Sequence, residues 1–372
     1  MNPHRDTVPP GLPTPRMSVA AHARSRHAVW MSATALFTDP LGRVLLVKPT
    51  YREQWLLPGG AGESGESPAQ ACRREIGEEL GLARAPGRLL AVHWLPPDHP
   101  DVDAGLQLPG EIRYILDGGT LSEEVIASLR VPEDELAGFE FVDSTQVEHR
   151  MIPVDARIAL VALRARVSGT TAHLEGGRHV GEPPPLDRYD VRVRPRAGHR
   201  LPLRDDPMPA DLEVRQAWGW LFVPDGRVVL VIDPGNRLPA LPGGRVERTD
   251  ASPEETLRRE AVEEARVTID EPLRLGWVHD TTGTADGGAD SYARLRLTAR
   301  VTAVAPVAED PATGRTFARL LVTPEQAAAL LGWGEEGHRQ ARRAAHLAHT
   351  RWGIPHAAPS AIAELPAGGC RV

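Results

Sequence analysis

The chain has 372 residues, 41% hydrophobic and 25% charged, with a formal net charge of −7. That length is enough for two ordinary domains with a core in each, and the acidic balance gives no electrostatic reason to expect a bulk nucleic-acid or membrane-surface binder. Two cysteines far apart, Cys72 and Cys370, exclude a disulfide scaffold and point to a reducing compartment, the cytoplasm.

No apolar run reaches the 18 or so residues a membrane span needs. Residues 1–26 hold prolines at 3, 9, 10, 13 and 15 and lack the apolar stretch of a secretory signal, so they read as a disordered tail. Two short apolar runs, 31–37 and 43–48, flank Asp39-Pro40-Leu41-Gly42 and predict strands around a turn.

A glycine-rich loop follows, from Gly59 to Gly65, and then a helix with both ends specified. Ser67 is a good N-cap, Pro68 suits the first helical position, and Gly81 suits a left-handed stop. Within it Glu75, Glu78 and Glu79 stand at i, i+3 and i+4, which puts three carboxylates on one face. Such crowding repels unless a cation joins it. Mg²⁺ favours a few carboxylates combined with substrate phosphates, so the stretch predicts metal-assisted chemistry on a phosphate ester or anhydride.

Beyond the helix, Leu89–Leu95, Ile112–Leu116 and 139–142 read as strands, and 144–150 and 154–166 as helices. From 169 to 213 the pattern fails among Gly176-Gly177, Pro183-Pro184-Pro185 and further prolines. A structureless run of that length is uncommon inside a domain, so it reads as a linker with one short strand at Val191–Arg194.

The chain then repeats itself. Gly226–Val231 echoes Gly42–Val47, and Leu241–Gly244 echoes Leu57–Gly60, both at an offset of 184. Ser252-Pro253, Arg258-Arg259-Glu260 and Glu263-Glu264 echo Ser67-Pro68, Arg73-Arg74-Glu75 and Glu78-Glu79 at 185, one residue having entered the loop. Ser252 with Glu255 predicts a capping box.

Nine constrained positions, Gly60, Glu66, Arg74, Glu75, Ile76, Glu78, Glu79, Gly81 and Leu82, fill a pattern that resembles the Nudix box. The resemblance implies an α/β fold, two tandem Nudix-like α/β/α sandwiches with mixed sheets joined by a Pro/Gly-rich linker. The implied limits are a tail at 1–26, a first domain at 27–168 with its box at 60–82, and a linker at 169–213. A second domain with a degenerate box at 244–267 would span 214–352, and a C-terminal tail 353–372.

The resemblance further implies a hydrolase that cleaves the diphosphate linkage of a small nucleoside diphosphate derivative, with Mg²⁺, or Mn²⁺ as the other candidate. Gly60, Glu75, Glu78 and Glu79 would bind metal. The catalytic set would be Glu78, Glu79, Arg74, which fixes a neighbouring carboxylate, and Glu135, the late acid six residues before Phe141. Glu260, Glu263 and Glu264 form a possible second site, weakened by Ala251 for Glu66, Arg266 for Gly81 and Arg315 at the place of Glu135; Asp250 is a possible substitute in the longer loop. Catalysis is therefore expected mainly in the first domain. A nucleotide or nucleotide-sugar binding protein without turnover is the alternative, and an oligomer is compatible with either.

Overall fold

The computed structural model describes residues 18–193, 202–281, 291–311, 313–368 and 370–371. Most of the tail expected at 1–26 lies outside them. Its last part is not structureless, because Val19–Arg24 forms a short helix, α1, capped by Ser18, although no residue of it is buried.

The first half begins with β1 (Trp30–Thr38), β2 (Val44–Pro49), β3 (Gly59–Ala61), α2 (Pro68–Leu80), β4 (Leu89–Leu95) and β5 (Glu111–Thr120). It continues with α3 (Glu123–Ser128), β6 (Leu136–Val142), α4 (Pro153–Ser168), β7 (Ala172–Glu175) and β8 (Arg178–His179). The sheet runs β6-β2-β1-β5-β4-β7-β8, with β3 paired on β1. β1 and β5 are parallel, as are β4 and β7; the other pairs are antiparallel. Strand alternation decides which residues meet which helix. Ala33, Ala35 and Phe37 face α2 through Cys72, Ile76 and Leu80, while Leu36, Val44 and Leu46 face α4.

α2 starts and stops where the sequence predicts. Ser67 and Gln70 exchange the two hydrogen bonds of a capping box, and Gly81 ends the helix at φ 69°. Burying Ile76 and Leu80 contributes roughly 1.5–3 kcal/mol each, which fixes the carboxylate face outward. The predicted helix at 144–150 contracts to a single tight turn at 147–149.

The stretch from 169 to 213 is not a structureless linker. β7 and β8 extend the first sheet, and α5 (Pro185–Arg188) follows. β9 (Leu203–Arg204) pairs with the second sheet. Val191–Val193 is irregular rather than a strand, and Arg194 lies outside the described residues. The short alternation of Ala172-His173-Leu174-Glu175 was masked by surrounding Gly and Pro, yet it buries Ala172 and Leu174.

The second half holds β10 (Val214–Phe222), β11 (Val228–Ile232), β12 (Pro239–Ala240), β13 (Gly243–Arg245), α6 (Pro253–Glu263) and β14 (Val267–Asp280). After them come β15 (Tyr292–Val304), β16 (Ala318–Val322), α7 (Pro324–Leu331), α8 (Gly334–Trp352), β17 (Ala363–Glu364) and β18 (Cys370–Arg371). Its sheet runs β17-β16-β11-β10-β15-β14-β9, with β12, β13 and β18 paired off that path. Residues 353–372 are therefore not a free tail: β17 and β18 pair with the sheet, and Ile354, Ile362 and Leu365 are buried.

The repeat holds at the level of register. Ser32, Ala33 and Thr34 pair with Ala61, Gly60 and Gly59; Gln216, Ala217 and Trp218 pair with Arg245, Gly244 and Gly243, every position shifted by 184. The halves meet through α5 and the residues after it. Arg164 of α4 pairs with Asp187 at 3.1 Å and also with Asp190, and Asp190 in turn pairs with Arg237 of the second half.

One buried histidine ties β4 to the β7–β8 turn. His93 Nε2 accepts a hydrogen bond from the Gly177 N–H at 2.9 Å, so the ring is neutral, and burial pushes its pKa down to about 3. In the unfolded chain the ring takes a proton below about 6.5, so this contribution is complete at neutral pH and is lost as pH falls from 6.5 toward 3. We expect wild type to lose about 2 kcal/mol more stability than His93→Gln between pH 7 and pH 5. Urea unfolding at the two values checks this; parallel losses would contradict it.

Candidate active site

At the mouth of the first box, Arg74 organises the acids. Its Nε and Nη2 take Glu66 bidentately at 3.0 and 3.1 Å, Nη1 reaches Glu75 and Glu78 at 2.9 Å each, and Nη2 also donates to the Ala61 carbonyl. A planar guanidinium can serve several carboxylates at once, which an ammonium cannot match. Glu66, held by Arg74 and by the Glu63 N–H, lies below the usual carboxylate range.

Glu79 is held differently. Its Oε2 accepts the Gly59 N–H at 2.7 Å, and burial, reinforced by the charges of Glu75, Glu135 and Glu78, pushes its pKa up to about 8. Glu75 is raised as well, mainly by burial. A Cβ on Gly60 would lie 2.7–2.9 Å from the Glu75 carboxyl group, so any larger residue would have to push that carboxyl out of its place on Arg74. Glu135 sits just ahead of β6, exposed, with its charge bearing on both Glu75 and Glu79.

Among the described residues no three of His, Cys, Asp or Glu are already gathered into a metal-holding group. The reason is visible in the contacts: Arg74 occupies Glu75 and Glu78, and Gly59 occupies Glu79. The donor set is nonetheless all hard oxygen, suited to Mg²⁺ or Mn²⁺. Beside it lies a cavity of about 320 Å³. Gly59 and Gly60 line it together with Trp30 and Tyr51, residues that are 45% and 78% exposed. Arg113 crosses its wall, pairing with Glu111 and with buried Asp155, each at 2.7 Å.

The second half rebuilds this pattern. Arg259 reaches Asp250, Glu260 and Glu263 at 3.2, 2.9 and 2.8 Å, and donates to the Arg245 carbonyl as Arg74 does to Ala61. Glu264 accepts the Gly243 N–H at 3.0 Å, and burial again pushes its pKa up to about 8.

The family model described as the NUDIX domain matches residues 30–160 and 213–344. This chain belongs to the NUDIX family. YjhB of Bacillus subtilis (strain 168) is 39% identical to it over 82 residues, 22% of this chain and 32% of that protein. The human 8-oxo-dGDP phosphatase NUDT18 is 37% identical over 90 residues, 23% of this chain and 26% of its own length. The crystal structure of a MutT NUDIX hydrolase from Burkholderia pseudomallei matches 37% of this chain and 98% of its own at 26% identity, with a TM-score of 0.29. The chain spans about a third or less of the length of these two curated relatives.

Two of the three losses expected in the second NUDIX domain are made good. Asp250, not Ala251, stands where Glu66 does, and its pKa is lowered chiefly by the hydrogen bond from Arg259. Nor is Arg315 the counterpart of Glu135. Asp310 is the late acid whose charge bears on Glu260 and Glu264, though it is buried and held by Thr313 where Glu135 is exposed, while Arg315 pairs with Asp233 at 3.2 Å. Phe141 and Leu321 occupy the same register, opposite Leu45 and Val229, but Glu135 precedes Phe141 by six residues and Asp310 precedes Leu321 by eleven. A turn closed by Thr313 on Asp310 accommodates the extra five. Glu309-Asp310 stands in the sequence as an acidic pair, but a fixed count of six back from Leu321 lands on Arg315 instead.

The third loss is real and strained. Arg266 takes the left-handed conformation at φ 54°, which costs about 1 kcal/mol or more for a residue with a Cβ. Ser252 does cap α6, but Glu255 pairs with Arg258 instead of completing the box. In the first domain no sequence pattern marks Trp30, Tyr51, Arg113 and Asp155, since only the fold brings them to one cavity. Trp55 packs against the α4-side core, and Cys72 is buried under α2.

In metal-free protein, Glu79→Gln should leave stability equal or higher, since it removes the cost of holding an acid whose pKa is raised by burial, while an amide oxygen still accepts the Gly59 N–H. Arg74→Met should cost about 1 kcal/mol or more, because it leaves Glu66, Glu75 and Glu78 without their shared cation. Urea melts in EDTA distinguish the two; a Glu79→Gln loss as large as that of Arg74→Met would contradict the account.

Proposed function

We propose that this chain hydrolyses the diphosphate linkage of small nucleoside diphosphate derivatives, with Mg²⁺ or Mn²⁺, and that both NUDIX domains take part. The observation that carries this reading is the duplicated placement of a half-buried glutamate, Glu79 or Glu264, on a box glycine N–H beside three further acids. In the first domain Gly60, through its carbonyl, and Glu75, Glu78 and Glu79 would hold the metal. Glu260, Glu263 and Glu264 would do so in the second. A bound divalent ion supplies charge neutralisation for the diphosphate and makes water more acidic at neutral pH.

The protein's own groups do the rest. Arg74 holds Glu75 and Glu78 aimed at the mouth of the site. Exposed Glu135 accepts the proton of the attacking water as its oxygen bonds to phosphorus, while the bridging P–O bond breaks and the departing phosphate keeps the electron pair. Trp30 and Tyr51 stack a nucleobase, and the Arg113–Asp155 pair offers it fixed polar partners. The name of NUDT18, an 8-oxo-dGDP phosphatase, supports a nucleoside diphosphate as ligand, and cytoplasmic location suits that chemistry.

A panel of ADP-ribose, 8-oxo-dGDP, dinucleoside polyphosphates and nucleotide sugars, incubated with Mg²⁺ and analysed by mass, tests the reading. Glu79→Gln and Glu264→Gln should each abolish part of the activity, the double variant all of it, and Glu135→Gln should slow the first-domain reaction roughly 100-fold or more. Tight nucleotide binding with no product from wild type would establish the alternative, a binding protein without turnover.

A further inference from the structure

We infer that the second domain binds an additional anionic group of its ligand, a phosphate ester or a carboxylate, on the face of β15 that carries Arg294 and Arg296. Strand alternation places Tyr292, Arg294, Arg296 and Thr298 on one face, while Leu295, Leu297 and Ala299 enter the α6-side core. Arg296 is 6% exposed, and neither its Nε nor its Nη1 has a hydrogen-bond partner among the described residues. It lies 5.1 Å above the Trp333 ring and opposite Trp218 on β10.

Stability does not account for this arginine. Burying a guanidinium without hydrogen-bond partners for its donors is costly, and the cation–π contact with Trp333 returns only part of that cost. Burial, and next the charge of Arg294, push its pKa down to about 9, so it is still cationic at neutral pH. Nearby, Arg294 is paired with Asp280 and donates to the Tyr292 hydroxyl, yet its Nε has no partner; nor does Oε1 of buried Gln340.

The register says where these groups point. Thr34 pairs with Ile115 in the first domain and Trp218 with Arg296 in the second, and both Thr34 and Ile115 line the first cavity. At the same shift of 181, Arg294 replaces Arg113 and Tyr292 replaces Glu111. The first domain thus neutralises its one arginine on β5 with Glu111 and Asp155, whereas β15 of the second pairs Arg294 with Asp280, carries a further arginine, Arg296, at the place of Ile115, and has Tyr292 in place of the glutamate. Guanidinium donors in a planar fork match the oxygens of phosphate or carboxylate.

The inference rests on the second domain holding a ligand, and not on its turnover, so it is tested without metal. Thermal melts in EDTA compare 20 mM sodium phosphate, 20 mM sodium succinate and sodium chloride of equal ionic strength. Phosphate or succinate should raise the wild-type Tm by about 2–4 °C over chloride, the larger response naming the anion class. Arg296→Met, which can still pack against Trp333, should lose most of that rise and, in chloride, melt at or above wild type. Glu264→Gln should keep the rise, which separates this site from the hydrolytic one. Absence of any rise in wild type, an equal rise in Arg296→Met, or an Arg296→Met protein that melts well below wild type in chloride would overturn the inference. Isothermal titration of the same anion against both proteins provides the second measurement.

Discussion

The arrangement of this molecule depends on how four carboxylates are kept together at the tip of one helix. Left alone they repel, and burial raises the cost for Glu79 and Glu264 in particular. One guanidinium per domain answers most of the repulsion, and one glycine N–H answers the rest. Everything that positions those donors follows from that need: the strand pairing of the glycine loop on β1 or β10, the cap at Ser67 or Ser252, and the apolar stripe that turns the acidic face outward.

Much of this was legible in the residues. The offsets of 184 and 185 reappear as strand register and helix position, because glycines that must pack against a strand and glutamates that must share an arginine cannot drift. What drifted was loop length. Asp250 and Asp310 take up the surroundings of Glu66 and Glu135 from positions displaced by one and five residues, and a side chain's place in a longer loop is set by where its carboxylate lands, not by its distance from the next strand.

The weaker signals were the short ones. Four residues of β7 and two of β9 bury apolar side chains only because a sheet edge is waiting for them, and no periodicity of that length stands out among so many prolines. The cavity residues were equally hidden, since Trp30, Tyr51, Arg113 and Asp155 come from four separate segments. Arg294 and Arg296 read as an ordinary alternating strand until the partners of each are known.

Asp190 answers two arginines, Arg164 from one half and Arg237 from the other. Leu186 and Val191, a few residues away, are buried in the core of the second half, while β7 and β8 complete the sheet of the first. The tandem is consequently not a pair of beads that can be parted on the string between them. A gene fragment ended after α4 would strip the first sheet of its outer strands, and one begun at β10 would strip the second core of three buried side chains, Leu186, Val191 and Leu203, and take Asp190 from Arg237. Duplication supplied two copies, but the chain between them has since become structure that both halves share.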